Sequence, residues 1–188
     1  MDAWVWILIA VAVIAVVAMA LVAVQRQRQR ARLRGRFGPE YDHVVQERGD
    51  RRDAEAELQE RFERRKQFEV HDLPPESRER YEREWRHAQR QFVDQPSVAI
   101  AEADVLVAEV MHDRGYPVAD DFEQRAADVS VDHPGVVEHY RAAHGISQRA
   151  TEGGADTEDL RQAMVHFRAL FQELLESEER QSTTTRRS

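Results

Sequence analysis

Cysteine is absent from all 188 residues, which excludes a disulfide scaffold, thiol catalysis and thiolate metal sites. Lysine is almost absent too: Lys66 is the single lysine among 27 basic residues, so lysine modification has little to act on. No stretch alternates apolar and polar residues with period two, and no glycine-rich loop follows a strand-like run. Those two absences exclude the strand–loop–helix phosphate cradles. They also exclude a serine nucleophile on a strand–turn–helix elbow. Long apolar runs are missing as well, with one exception at the N-terminus.

The exception is "AWVWILIAVAVIAVVAMALVAV", Ala3 to Val24, which contains no charge, glycine or proline. As a helix at about 1.5 Å per residue these residues extend roughly 33 Å, enough for a hydrocarbon core of about 30 Å. A helix apolar on every face for that length predicts a membrane span. A cleavable export signal is the competing reading, and Ala18-Met19-Ala20 has the small-x-small pattern of a cleavage site. Basic residues before a shorter apolar core would favour it, and only Asp2 precedes the run. The expectation is a retained anchor, with Trp4 and Trp6 at the outer interface.

Directly after the run comes "QRQRQRARLRGR", with Arg26, Arg28, Arg30, Arg32, Arg34 and Arg36 at every second position. Basic residues flanking a span orient it toward the cytoplasm. The expected topology is therefore a single pass through the cell (inner or plasma) membrane, N-terminus outside and C-terminal domain cytoplasmic. A two-residue step turns a helix by about 200°, so the six arginines spread around its circumference as a collar facing anionic headgroups. Residues 1–36 hold six Arg and one Asp of the chain's 27 basic and 35 acidic residues, leaving 21 and 34 for residues 37–188, a net charge of −13. An acidic body repels polyanions, so nucleic acid is set aside as a partner.

Beyond the collar the periodicity is helical throughout, and the expected fold class is all-α. The expected organisation is a transmembrane anchor over 1–24, an arginine-rich collar over 25–38 and a polar helical stalk over 39–72. A helical bundle over 73–176 and a disordered tail over 177–188 complete it. Gly38-Pro39 should end the anchor helix, and "RGDRRD" should interrupt the stalk. Pro75 suits the first turn of a helix over about 76–93, with Tyr81, Trp85, Ala88 and Phe92 on one face. A second helix, about 97–114, carries Ala99, Ile100, Ala103, Leu106, Val107, Val110 and Met111; Glu102, Asp104 and Glu109 mark it as core rather than a second span. Asp120-Asp121 should cap a short helix, Asp132-His133-Pro134 should start another, and Asp156 or Thr157 should cap the last. That last helix has the widest stripe: Leu160, Met164, Phe167, Leu170, Phe171 and Leu174.

Glu-x-x-His occurs at Glu40–His43, Glu84–His87 and Glu109–His112. Two such pairs plus two further glutamates build carboxylate-bridged di-iron sites in four-helix bundles. Here two pairs fall on consecutive helices and the third in the stalk, which is not that layout. His139 and His144 are five apart, about 140° round a helix, and diverge. His166, beside Phe167, reads as a boundary residue. No catalytic, cofactor or metal-ligating residue is assigned, and no cofactor is expected.

The stretches "GYPVADDFEQRAADVSVDHPGVVEHYRAAHGI" and "TEDLRQAMVHFRALFQELL" resemble a recurring group of bacterial proteins with an N-terminal apolar segment and a helical C-terminal module, for which no activity is known. The resemblance implies a shared helical module and brings no cofactor or site residues. The expected role is therefore a membrane-tethered interaction or scaffold protein rather than an enzyme. Its partners would be a bilayer with anionic headgroups and either a protein partner or a second copy. The alternative is an enzyme or metal-binding helical bundle using the Glu-x-x-His pairs.

Overall fold

The computed structural model describes residues 3–117 and 121–185. Among them every regular element is a helix: α1 (Ala3–Phe37), α2 (Pro39–Arg48), α3 (Arg51–Arg65), α4 (Pro75–Gln91), α5 (Pro96–Asp113), α6 (Phe122–Ser130), α7 (Val137–Thr151) and α8 (Thr157–Thr185). The fold class is all-α, with one helix at the N-terminus long and apolar enough to cross a membrane. Two compact units divide the chain, residues 1–58 and residues 59–188.

In the first unit α1 is one uninterrupted helix of 35 residues, so the apolar run and the arginine segment are a single rod. It stops where Gly38 takes a positive φ of 49° and Pro39 opens α2. Side chains from Val11 to Val24 are exposed along the rod, Ile14 to 68%. Burial begins only at Leu33 and Phe37, and continues with Tyr41 and Val44 of α2 and Ala54 and Leu58 of α3. The expected interruption falls at Gly49-Asp50, between α2 and α3, where Gly49 is left-handed and the Asp50 carboxylate accepts hydrogen bonds from the backbone N–H of Arg52 and Asp53.

The second unit is a bundle in which α5, α7 and α8 pack pairwise, α4 lies against α5, and α6 lies against α7. The apolar stripes meet in one core containing Tyr81, Trp85, Ile100, Val107, Met111, Tyr140, Phe167 and Leu174. Trp85 and Phe171 stack with centroids 4.7 Å apart, which ties α4 to α8 as well. Asp121 caps α6 by accepting from the Glu123 N–H, as its position predicted. Asp156 and Asp159 cap α8 reciprocally, each carboxylate taking the other's backbone N–H.

Some local readings change. Asp132-His133-Pro134 does not begin a helix; α7 starts at Val137, and the preceding residues form a turn whose Asp132 and His133 N–H groups both donate to the Val129 carbonyl. Asp132 is drawn away from capping by stronger partners, described below. α8 runs on to Thr185, into the stretch expected to be a disordered tail, where Glu178, Glu179, Arg180 and Gln181 are good helix formers. Asp120, residues 186–188 and the Trp6 side chain lie outside what the structure describes.

Residues 66–74 are not free linker. The His71 N–H donates to the Arg114 carbonyl at 2.9 Å, and Phe68, Val70 and Leu73 pack on the bundle core. The corner at Gly115 accommodates this closely. Its φ is +89°, and a Cβ there would lie 2.2 Å from the Glu69 carbonyl oxygen, so only glycine fits.

Candidate functional site

The arginine segment resolves into two faces. On a helix Arg26, Arg30 and Arg34 share one side, and Arg28, Arg32 and Arg36 share the roughly opposite side. The first side also carries Leu33 and Phe37, both buried, and there protein carboxylates meet the guanidinium groups. Arg30 pairs with Glu55 of α3 at 3.0 Å, and Arg34 pairs with Asp42 of α2 at 3.3 Å. Glu55 also accepts from the Tyr41 hydroxyl at 3.0 Å, so burial and that carboxylate both push the Tyr41 pKa up. Arg26, Arg28 and Arg32 are exposed and make no ion pair among the described residues. Thus the collar is not uniform: Arg30 and Arg34 hold α2 and α3, while Arg26, Arg28 and Arg32 are available to an external anion. Sequence spacing alone did not separate the two sets, because Glu55 and Asp42 carry no periodic signal.

The Glu-x-x-His pairs stay apart. Glu40 is buried on α2, where His43 instead reaches Glu47 at 3.8 Å, whereas Glu84, His87, Glu109 and His112 are exposed on α4 and α5. Among the described residues no three His, Asp or Glu side chains are grouped to hold a metal ion. His139 and His144 diverge as expected. His144 stacks on Phe122, rings 3.7 Å apart, while His139 faces His166 of α8.

In the second unit a chain of polar groups joins the end of α3 to α6 and the following turn. Arg64 donates to both oxygens of Asp128, at 2.9 and 3.5 Å, and the Asp128 side chain is only 1% exposed. Arg65 pairs with Asp132, donates to the Phe68 carbonyl and lies over the Phe68 and Tyr116 rings. The Tyr116 hydroxyl donates to Asp132 at 2.9 Å; burial first, then the Asp132 charge, pushes its pKa up, so it remains a donor. Arg114 is buried, donates to the Leu174 carbonyl at α8 and lies 3.6 Å from Asp72. His133, also buried, faces Glu173 at 3.4 Å, and burial and the Arg114 charge hold its pKa below the ordinary imidazole value. These groups satisfy one another, which is the chemistry of a structural latch. They present no exposed nucleophile–base pair.

Between α4 and α8 lies a cleft of about 390 Å³. Its floor is the Trp85–Phe171 stack, and Arg78, Glu82, Arg86 and Arg168 stand round it.

Among the described residues the chain is all-helical, with one N-terminal helix long and apolar enough to cross a membrane. Comparison with protein-family models, curated proteins and solved structures gave no match, so the residues themselves carry the functional reading.

Proposed function

We propose that this chain is a single-pass membrane protein whose helical body works in the cytoplasm as an interaction scaffold. One observation carries the reading: a helix without charge from Ala3 to Val24, its apolar side chains exposed where described, runs unbroken into an arginine-rich segment. Exposed apolar side chains of that number are costly in water and favourable in lipid. The arginines that follow favour a cytoplasmic location for everything after them. Arg26, Arg28 and Arg32 are the contacts to anionic headgroups, each worth about 1 kcal/mol beside an anionic surface. The acidic body, with its net charge of −13 over residues 37–188, is repelled from that surface and held clear of it. The cleft between α4 and α8 is the surface we assign to a protein partner or a second copy.

A reporter fused after Ser188 tests the topology. It should behave as cytoplasmic, and replacing all six arginines by glutamine should weaken or invert that orientation. Reporter activity confined to the outside would overturn the reading in favour of export. Crosslinking in native membranes followed by pull-down tests the scaffold role, which fails if the full chain is recovered alone and monomeric.

A further inference from the structure

We propose that His139 and His166 form a two-imidazole site for a divalent transition-metal ion, bridging α7 and α8. The two rings come from different helices, 27 residues apart in sequence, and face each other with centroids 5.0 Å apart and planes 26° apart. Their Nδ1 atoms are separated by 2.9 Å. Two like nitrogens at that distance need something shared between them, because two lone pairs repel and two N–H groups clash. A proton can fill the role, making one ring donor and the other acceptor. A metal ion is the other candidate: a modest turn of the two rings lets both lone pairs converge on it.

The spacing suits a metal. Imidazole nitrogen binds such ions at about 2.0–2.1 Å, so a right angle between neighbouring ligands places the two nitrogens about 2.9 Å apart. Tetragonal Cu(II) and Ni(II) prefer that angle, and imidazole is a ligand of choice for both and for Zn(II). The backbone beneath the pair is already fixed. The next residues along each helix, Tyr140 and Phe167, are fully buried and meet edge to face at 6.4 Å, which locks α7 against α8 at this level. The ligands therefore need only side-chain rotation, the condition for a preorganised site. His139 is exposed and His166 half-buried, which leaves the remaining coordination positions open to water. No third His, Asp or Glu joins them among the described residues, and no cysteine exists in the chain to compete for a soft ion. The ligand class is thus an imidazole-seeking divalent ion held at two points, with Cu(II) the tightest by the general affinity order. The site is separate from the three Glu-x-x-His pairs and independent of the membrane reading.

The test uses the full-length chain without a purification tag, in detergent micelles, with Cu(II) as the probe. Pulsed electron paramagnetic resonance at equimolar copper counts coordinated imidazoles, and calorimetric titration gives the affinity. The wild type should bind one copper ion saturably and show two imidazoles. His139→Gln and His166→Gln should each show one imidazole and bind at least about tenfold more weakly. Circular dichroism checks that both variants keep their helix content. If a variant fails to fold, the imidazole count in the wild type decides by itself. One imidazole or none in the wild type, absence of saturable binding, or affinity unchanged in both variants would overturn the site.

Discussion

Phe167 and His133 show how differently two buried side chains contribute. Phe167 is fully buried in the bundle core, against Tyr140, on the helix whose stripe is widest. Phe167→Ala removes most of an aromatic side chain and leaves a cavity, a change worth about 3–5 kcal/mol. Against a typical total of about 5–15 kcal/mol that is a large fraction, so the variant should melt at much lower temperature. A variant that keeps its melting temperature but loses self-association in sedimentation would assign the stripe to an interface instead. His133 contributes through pH. In the unfolded chain an imidazole titrates near 6.5. In the fold His133 takes its proton only at lower pH, because burial disfavours the cation and Arg114 repels it, with Glu173 opposing. Below about pH 6.5 the unfolded chain therefore binds more protons than the folded one, and stability falls as pH falls until folded His133 protonates too. The contribution is fully present above that value. Denaturant unfolding of wild type and His133→Gln, compared from pH 7.5 to 5, should show a shallower acid loss in the variant. Parallel curves would remove His133 from the account.

At the scale of elements, legibility followed the kind of signal. Helices with an apolar stripe were readable: α4, α5 and α8 fall within one or two residues of their expected starts, with Pro75 and Asp156-Thr157 marking two of them. The N-terminal apolar helix and its stop at Gly38-Pro39 were readable from composition and backbone chemistry. The polar contacts were not. Arg64 and Asp128 are 64 residues apart, Arg65 and Asp132 are 67 apart, and charged residues on helical faces look alike whether solvated or paired. For the same reason residues 59–72 read as stalk, although they provide ion pairs and core contacts to the second unit. The Asp132-His133-Pro134 turn shows tertiary partners overriding a local signal: a capping residue followed by Pro is a candidate helix start, but here Arg65 and Tyr116 claim the Asp132 carboxylate. The candidate site divides similarly. The arginine spacing was plain in sequence, while the division between Arg30 and Arg34 on one hand and Arg26, Arg28 and Arg32 on the other required Glu55 and Asp42 in place. The facing of His139 and His166 depends on the register of the α7–α8 hairpin, which no local pattern encodes.

For the whole molecule, the division at Leu58/Gln59 determines which piece can fold alone. A fragment beginning at residue 73 retains the bundle helices and their apolar stripes. It loses Arg64 and with it the charge partner of Asp128, which sits almost wholly out of solvent. Because the Arg64 side chain is itself 42% exposed, losing this pair costs less than the about 3–5 kcal/mol of a fully buried one, but the Asp128 charge left behind must still be rehydrated or protonated. The fragment also loses Phe68 and Val70 from the core edge and the strap that closes over Gly115. Together these losses are a sizeable fraction of the stability expected of a small domain. Residues 59–188 should therefore give a soluble, helical fragment with one cooperative unfolding transition. Residues 73–188 should be markedly less stable, with a lower urea midpoint or no transition at all. Asp128→Asn in the shorter fragment should recover part of the loss, since it replaces the stranded carboxylate with a neutral amide of the same shape. In the longer fragment the same substitution should destabilise, because there it breaks an intact pair. That reversal of sign separates an electrostatic latch from mere loss of packing area. Equal midpoints for the two fragments would show that residues 59–72 lie on the bundle without holding it.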